Sequence, residues 1–75
     1  MPRVQTVDKC LDVLEVIAKC PHGIGSRELS RRLDMNVTTV HNIASTLRLR
    51  GYLSQSPQTK KFRLGPRFLL LCQRA

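Results

Sequence analysis

Residues 35–46, MNVTTVHNIAST, decide the fold. Successive helical residues turn by about 100°, so Val40, Ile43, Ala44 and Leu47 fall on one stripe and Thr38, Asn42 and Ser45 on the opposite one, with Thr39, His41 and Thr46 at the margins. An amphipathic surface helix ordinarily turns Glu and Lys outward. This one turns out short, uncharged side chains that hydrogen-bond. Asn36 is placed to cap the helix, and Gly51 stands where a left-handed C-terminal residue belongs. Leu49 falls on the polar side and calls for another element to cover it.

Upstream, Val7, Cys10, Leu11, Leu14, Ile17 and Ala18 recur at three and four residues, which predicts a helix capped by Thr6 with Asp8 in its first turn. CPHGIG ends it through Pro21 and the glycines, leaving Ile24 as a very short strand. SRELSRRL, capped by Ser26, is a two-turn helix with Leu29 and Leu33 inward, and DMN is a tight connection.

Downstream, YLSQ and KFRL alternate as strands about the loop SPQTK, with Phe62 and Leu64 inward. GPRFLLLCQRA starts a last helix with Pro66 at its first position. Phe68 to Cys72 is apolar almost all round, which predicts burial on two sides. The order of elements describes a mainly α fold with a small β wing, a winged helix-turn-helix. Residues 1–65 are the expected domain, and residues 66–75 a last helix.

A chain of 75 residues buries about 60% of its unfolded surface, too little for a sizeable internal active-site cavity. Its 13 Lys and Arg against 5 Asp and Glu leave a charge of +8. All five acids precede Met35, while Arg48, Arg50, Lys60, Lys61, Arg63, Arg67 and Arg74 follow it with no acid among them. That half of the chain faces a polyanion. A membrane would want these cations along a long amphipathic helix, whereas most sit in or beside a Pro-containing turn. No apolar run spans a bilayer and no signal-peptide core is present, so a cytosolic protein is expected. Cys10, Cys20 and Cys72 lack any CxxC pairing and read as reduced core fillers. Cys20 and His22 have no second ligand pair at zinc spacing, so neither metal nor cofactor is expected.

A major groove admits one helix, in which Asn reads adenine with two hydrogen bonds and Ser and Thr serve base or phosphate. Asn42 leads for base readout, with Ser45 beside it. Thr38 and Thr39 lie among the free amides of the first turn, where a phosphate docks, or else help Asn36 close that end. His41 serves base or phosphate, or is a solvated marginal residue. Lys60, Lys61 and Arg63 surround the hairpin as a wing meets phosphates or the minor groove, or else protect an edge strand. Arg27 beside Ser26 is placed to hold backbone phosphate, and Arg48 extends the basic rim of the reading helix.

TVDKCLDVLEVIAK followed by GIGSRELSRRLDMNVTTVHNIASTLRLRGYLSQSPQTKKFRLGPRFLLL resembles the N-terminal DNA-binding domain of the isocitrate lyase regulator (IclR) family of bacterial transcription factors. TTVHNIASTL, RGYL and FRLGPRFLLL carry the resemblance. It implies a recognition helix over about 36–50, a linker helix near Pro66, and a homodimer on a palindromic operator. A small-molecule effector is implied only where a C-terminal domain exists, and no such domain lies within these residues. Val37 stands where the family tends to have Lys, Asn42 where it usually has Arg, and Lys60 where a turn glycine is common. Arg favours guanine and Asn adenine, at about 1–3 kcal/mol of discrimination each, so the operator sequence cannot be borrowed from relatives.

Two other readings compete. An RNA or single-strand module needs exposed stacking aromatics, but Tyr52, Phe62 and Phe68 are expected in the core. A winged-helix protein-interaction module would use the apolar FLLLC segment. No carboxylate pair, metal cluster or Cys and His nucleophile arrangement supports an enzyme. The all-round apolar terminal helix predicts a dimer.

Overall fold

The computed structural model describes residues 2–74. It holds α1 (Gln5–Ala18), α2 (Ser26–Leu33), α3 (Val37–Leu49), β1 (Leu53–Gln55), β2 (Phe62–Leu64) and α4 (Arg67–Arg74). The chain is a winged helix-turn-helix: α1, α2 and α3 enclose the core, and the hairpin closes one side of it.

Helix α1 buries Val13 and Ile17 and packs Cys10, Leu14 and Val16 against them. Val7 and Leu11, expected on the buried stripe, are 54% and 50% exposed, and Ala18 is exposed as well. These three share an arc adjoining the buried one, so α1 is apolar over more of its circumference than one core covers. Thr6 does not cap it. The helix starts at Gln5 after Val4, no side chain closes the end, and Arg3 instead grips Asp8 with two hydrogen bonds of 2.9 and 3.0 Å. Ser26 likewise lies inside α2, whose cap position belongs to Gly25 in extended backbone. The differences are two residues at α1 and one at α2, and follow from where the chain first turns helical.

Gly23, at φ +94°, turns the chain after α1 so that Ile24 bridges Phe62. Paired hydrogen bonds of 3.0 and 2.8 Å tie the two residues. The hairpin is antiparallel with Leu53 opposite Leu64 and Gln55 opposite Phe62. Two strands alone are marginal in water; these are held because Leu53 and Phe62 enter the core beside Ile24, Leu29, Val40, Ile43 and Ala44. Leu64 does not follow Phe62 inward and is 43% exposed. The strand has by then passed the rim of the core, and Leu64 borders an outer groove with Leu11, Leu14 and Phe68.

Asp34 adopts a left-handed conformation at φ 51° to close α2 and start the tight turn. Gly51, at φ +86°, takes the left-handed position after α3. A side chain at Gly65 would collide with the Gly51 carbonyl oxygen, and that carbonyl accepts the Arg67 amide at 3.1 Å. This joint launches α4, which begins one residue after Pro66. Burial of α4 on two sides is not found: none of its residues is buried, and Leu69, Leu70 and Leu71 are 63%, 42% and 47% exposed. Its Phe68 meets Tyr52 edge-on at 5.1 Å, and both are half-buried rather than core. Cys10 and Cys20 are half-buried beside the core, whereas Cys72 is exposed and fills nothing. No helix among the described residues is long and apolar enough to cross a membrane.

Candidate nucleic-acid interface

Helix α3 is positioned by Val40, Ile43 and Ala44, all buried. That stripe turns Thr38 and Asn42 outward to solvent, with Ser45 half-buried between α3 and its neighbours. Asn36 caps the helix through its Oδ1, which accepts from the amides of Thr38 at 2.8 Å and Thr39 at 3.4 Å. Those amides are therefore occupied, and what Thr38 and Thr39 still offer a phosphate is their hydroxyls. The Thr46 hydroxyl donates to the Asn42 carbonyl at 2.8 Å, while Asn42 itself is exposed.

His41 links two elements. Its Nδ1 lies 3.5 Å from Ser26 Oγ on α2 and its Nε2 lies 3.4 Å from Ser45 Oγ one turn along α3. Ser26, Arg27, His41, Gln55, Thr59 and Lys60 line one cleft of about 570 Å³ between the start of α2, α3 and the hairpin loop. A second cleft brings Lys61 beside Arg32, Cys20 and Gly23. The Arg63 stem also passes Gly23. The three wing cations thus do not share one surface: Lys60 faces the reading helix, and Lys61 and Arg63 face the α1–α2 turn. Arg48 is exposed in the last turn of α3.

Charge is distributed unequally among these cations. Glu28 pairs with Arg31 and, at 3.1 Å, with Arg32. The Arg32 hydrogen bond, joined by the charges of both arginines, holds the Glu28 carboxyl below the usual carboxylate range. Arg27, Arg48, Lys60, Lys61 and Arg63 have no acidic partner within ion-pair distance among the described residues. Positive potential is therefore concentrated at the start of α2, the end of α3 and the hairpin.

Lys60 is held at φ 65°, which accounts for the departure from a turn glycine: a lysine here takes the left-handed conformation itself. Ser56 Oγ accepts the Thr59 amide and Gln55 Nε2 donates to the Lys60 carbonyl, fixing the loop. Gln55 and Thr59, not singled out in the sequence, reach the cleft through this loop; no local signal marks them. Leu49 was visible as an anomaly. It stays 77% exposed, uncovered, at the end of the Thr38, Asn42, Ser45 stripe, where an apolar group suits a thymine methyl.

Residues 6–57 match the model of the IclR helix-turn-helix domain. The chain belongs to this family. The IclR-type domain is 31% identical over 65 residues to the HTH-type transcriptional regulator XynR of Escherichia coli K12, covering 87% of this chain and 26% of that protein. It is 36% identical over 63 residues to the HTH-type transcriptional regulator BhcR of Paracoccus denitrificans, covering 84% and 22%. An IclR transcriptional regulator from Alicyclobacillus acidocaldarius superposes with a TM-score of 0.91 at 27% identity, over 97% of this chain and 30% of that one. The IclR-type chain spans about a quarter of the length of the curated relatives it matches.

Proposed function

We propose that this IclR-type domain binds double-stranded DNA sequence-specifically as the reading head of a bacterial transcriptional regulator. Helix α3 lies in the major groove with Asn42 on base edges, and the hairpin rests on the backbone or minor groove. The observation that carries this is the outward face of α3: Thr38, Asn42 and Ser45 remain available while the opposite stripe is consumed by the core. The unpaired cations flanking that face supply phosphate contacts. Tyr52 and Phe68 pack on each other and Phe62 is buried, so none offers the stacking platform that single-strand binding uses.

The same reading includes a cytoplasmic homodimer on a palindromic operator, since a two-fold protein reads a two-fold site. Its interface is the apolar groove bordered by Leu11, Leu14, Leu64 and Phe68. A small-molecule effector belongs to whatever lies beyond the domain in a longer protein. Titrating a duplex with the chain at several salt concentrations tests the core of the proposal. Arg27, Arg48, Lys60, Lys61 and Arg63 together give a slope of log K on log salt of about −4. A flat dependence, or preference for single strands over duplex, would sink it.

A further inference from the structure

Ser26, His41 and Ser45 form a row from the start of α2, across the imidazole, to the reading face of α3, with Ser26 Oγ 3.5 Å from Nδ1 and Ser45 Oγ 3.4 Å from Nε2. A neutral imidazole donates from one ring nitrogen and accepts at the other. The row therefore points one way or the other as a whole. If Nδ1 carries the proton, it donates to Ser26 Oγ, and Nε2 accepts from the Ser45 hydroxyl. If Nε2 carries it, both bonds reverse.

The two directions present different chemistry outward. In the first, the Ser26 hydroxyl hydrogen is free to donate, and Ser45 has spent its hydrogen and offers only lone pairs. In the second, Ser45 donates outward and Ser26 offers only lone pairs. Phosphate oxygens accept hydrogen bonds and do not donate them. Ser26 opens onto the cleft that Arg27, Glu28 and Lys60 line, with the Glu28 carboxylate taken up by Arg31 and Arg32; backbone phosphate lies there if α3 occupies the groove, so this inference rests on the DNA-binding reading.

We infer that phosphate at Ser26 sets the direction of the row, and through His41 makes Ser45 an acceptor that selects an exocyclic amino group, adenine N6 or cytosine N4, at one position of the major groove. His41 is then a positioning residue for base choice, and Ser26 influences a base it does not touch. Reading of guanine O6 or thymine O4 by Ser45 requires the opposite direction and leaves Ser26 presenting lone pairs to a phosphate.

Selection from random duplexes with the wild-type chain and with Ser45→Ala identifies the position that Ser45 reads. At that position the amino group is then removed, by replacing adenine with purine or cytosine with 2-pyrimidinone. Wild type is expected to lose about tenfold in affinity, and Ser26→Thr, which keeps the hydroxyl, the same. Ser26→Ala and His41→Phe should bind all duplexes more weakly yet lose less than about threefold on removing the amino group. Thermal melting of each variant confirms that it is folded. A Ser26 that only anchors phosphate would weaken every duplex equally and leave the amino penalty at its wild-type size, which overturns the inference. A selected site in which Ser45 reads an acceptor group overturns it too. Absence of any duplex preference in wild type overturns the DNA-binding reading itself and is distinguishable from both.

Discussion

Helices α1 and α3 bury similar stripes against one core, Val13 with Ile17 and Val40 with Ile43 and Ala44, but turn very different faces outward. Val7 and Leu11 of α1, with Val4 just before it, are exposed, whereas α3 exposes Thr38, His41 and Asn42 along its length and apolar Val37 and Leu49 only at its two ends. Core-facing periodicity is thus the same signal in both helices and carries no information about partners. The outward residue types do. An apolar arc gains by leaving water against another apolar surface, and short donors and acceptors gain only against a ligand that presents matching polar groups.

Breaking the shared core should abolish both faces together. Ile17→Ala is expected to cost about 2–5 kcal/mol in urea unfolding, a large part of a small domain's stability. A loss under about 1 kcal/mol would mean that α1 is not part of the scaffold that holds α3.

Separating the faces is the sharper test. Asn42→Ala should erase about 1–3 kcal/mol of preference at one base pair, read by selection from random duplexes, and leave self-association untouched. Leu11→Ser should weaken self-association in sedimentation by about 1 kcal/mol per interface copy, since half of the side chain is already buried, with operator preference unchanged. Crossed effects would show that the two surfaces are one.

Smaller effects come from charge and backbone at the edge of the reading face. Lys60→Gly relieves a left-handed lysine and should raise stability by about 0.5–1 kcal/mol, while weakening duplex binding uniformly and lowering the salt slope by about 1. Glu28, its pKa lowered chiefly by Arg32, stabilises α2 in its ionised form. That contribution is complete above the unfolded-chain value of about 4.3 and vanishes as the pH falls through the lower folded value. Melting of Glu28→Gln should accordingly be flatter than wild type through that acidic window. At neutral pH the variant should show a steeper salt dependence of duplex binding, because Arg31 and Arg32 are released.

Much of this was legible locally. Asn36 as the cap of α3, Gly51 in the left-handed region and Phe62 as the inward residue of the hairpin each follow from side-chain chemistry within a few positions. The misplacements have a common cause. Val7, Leu11, Leu64 and the α4 leucines are apolar, and pattern alone assigns apolar residues to the core, but a domain of this size has room for only some of them. Thr6 and Ser26 missed the cap positions by two residues and one because both helices start earlier, at ends that no side chain closes.

Composition and periodicity determined that this chain folds as a winged helix-turn-helix with a basic second half and a reading helix whose outward stripe is short and uncharged, because burial spacing and turn chemistry act over short stretches. Tertiary structure alone decided that Lys60 faces a different cleft from Lys61 and Arg63, and that His41 meets Ser26 across 15 positions of the chain. Those are relations between residues distant in sequence, and hydrogen bonds and ion pairs exist only once the packed core has brought their partners within about 3 Å.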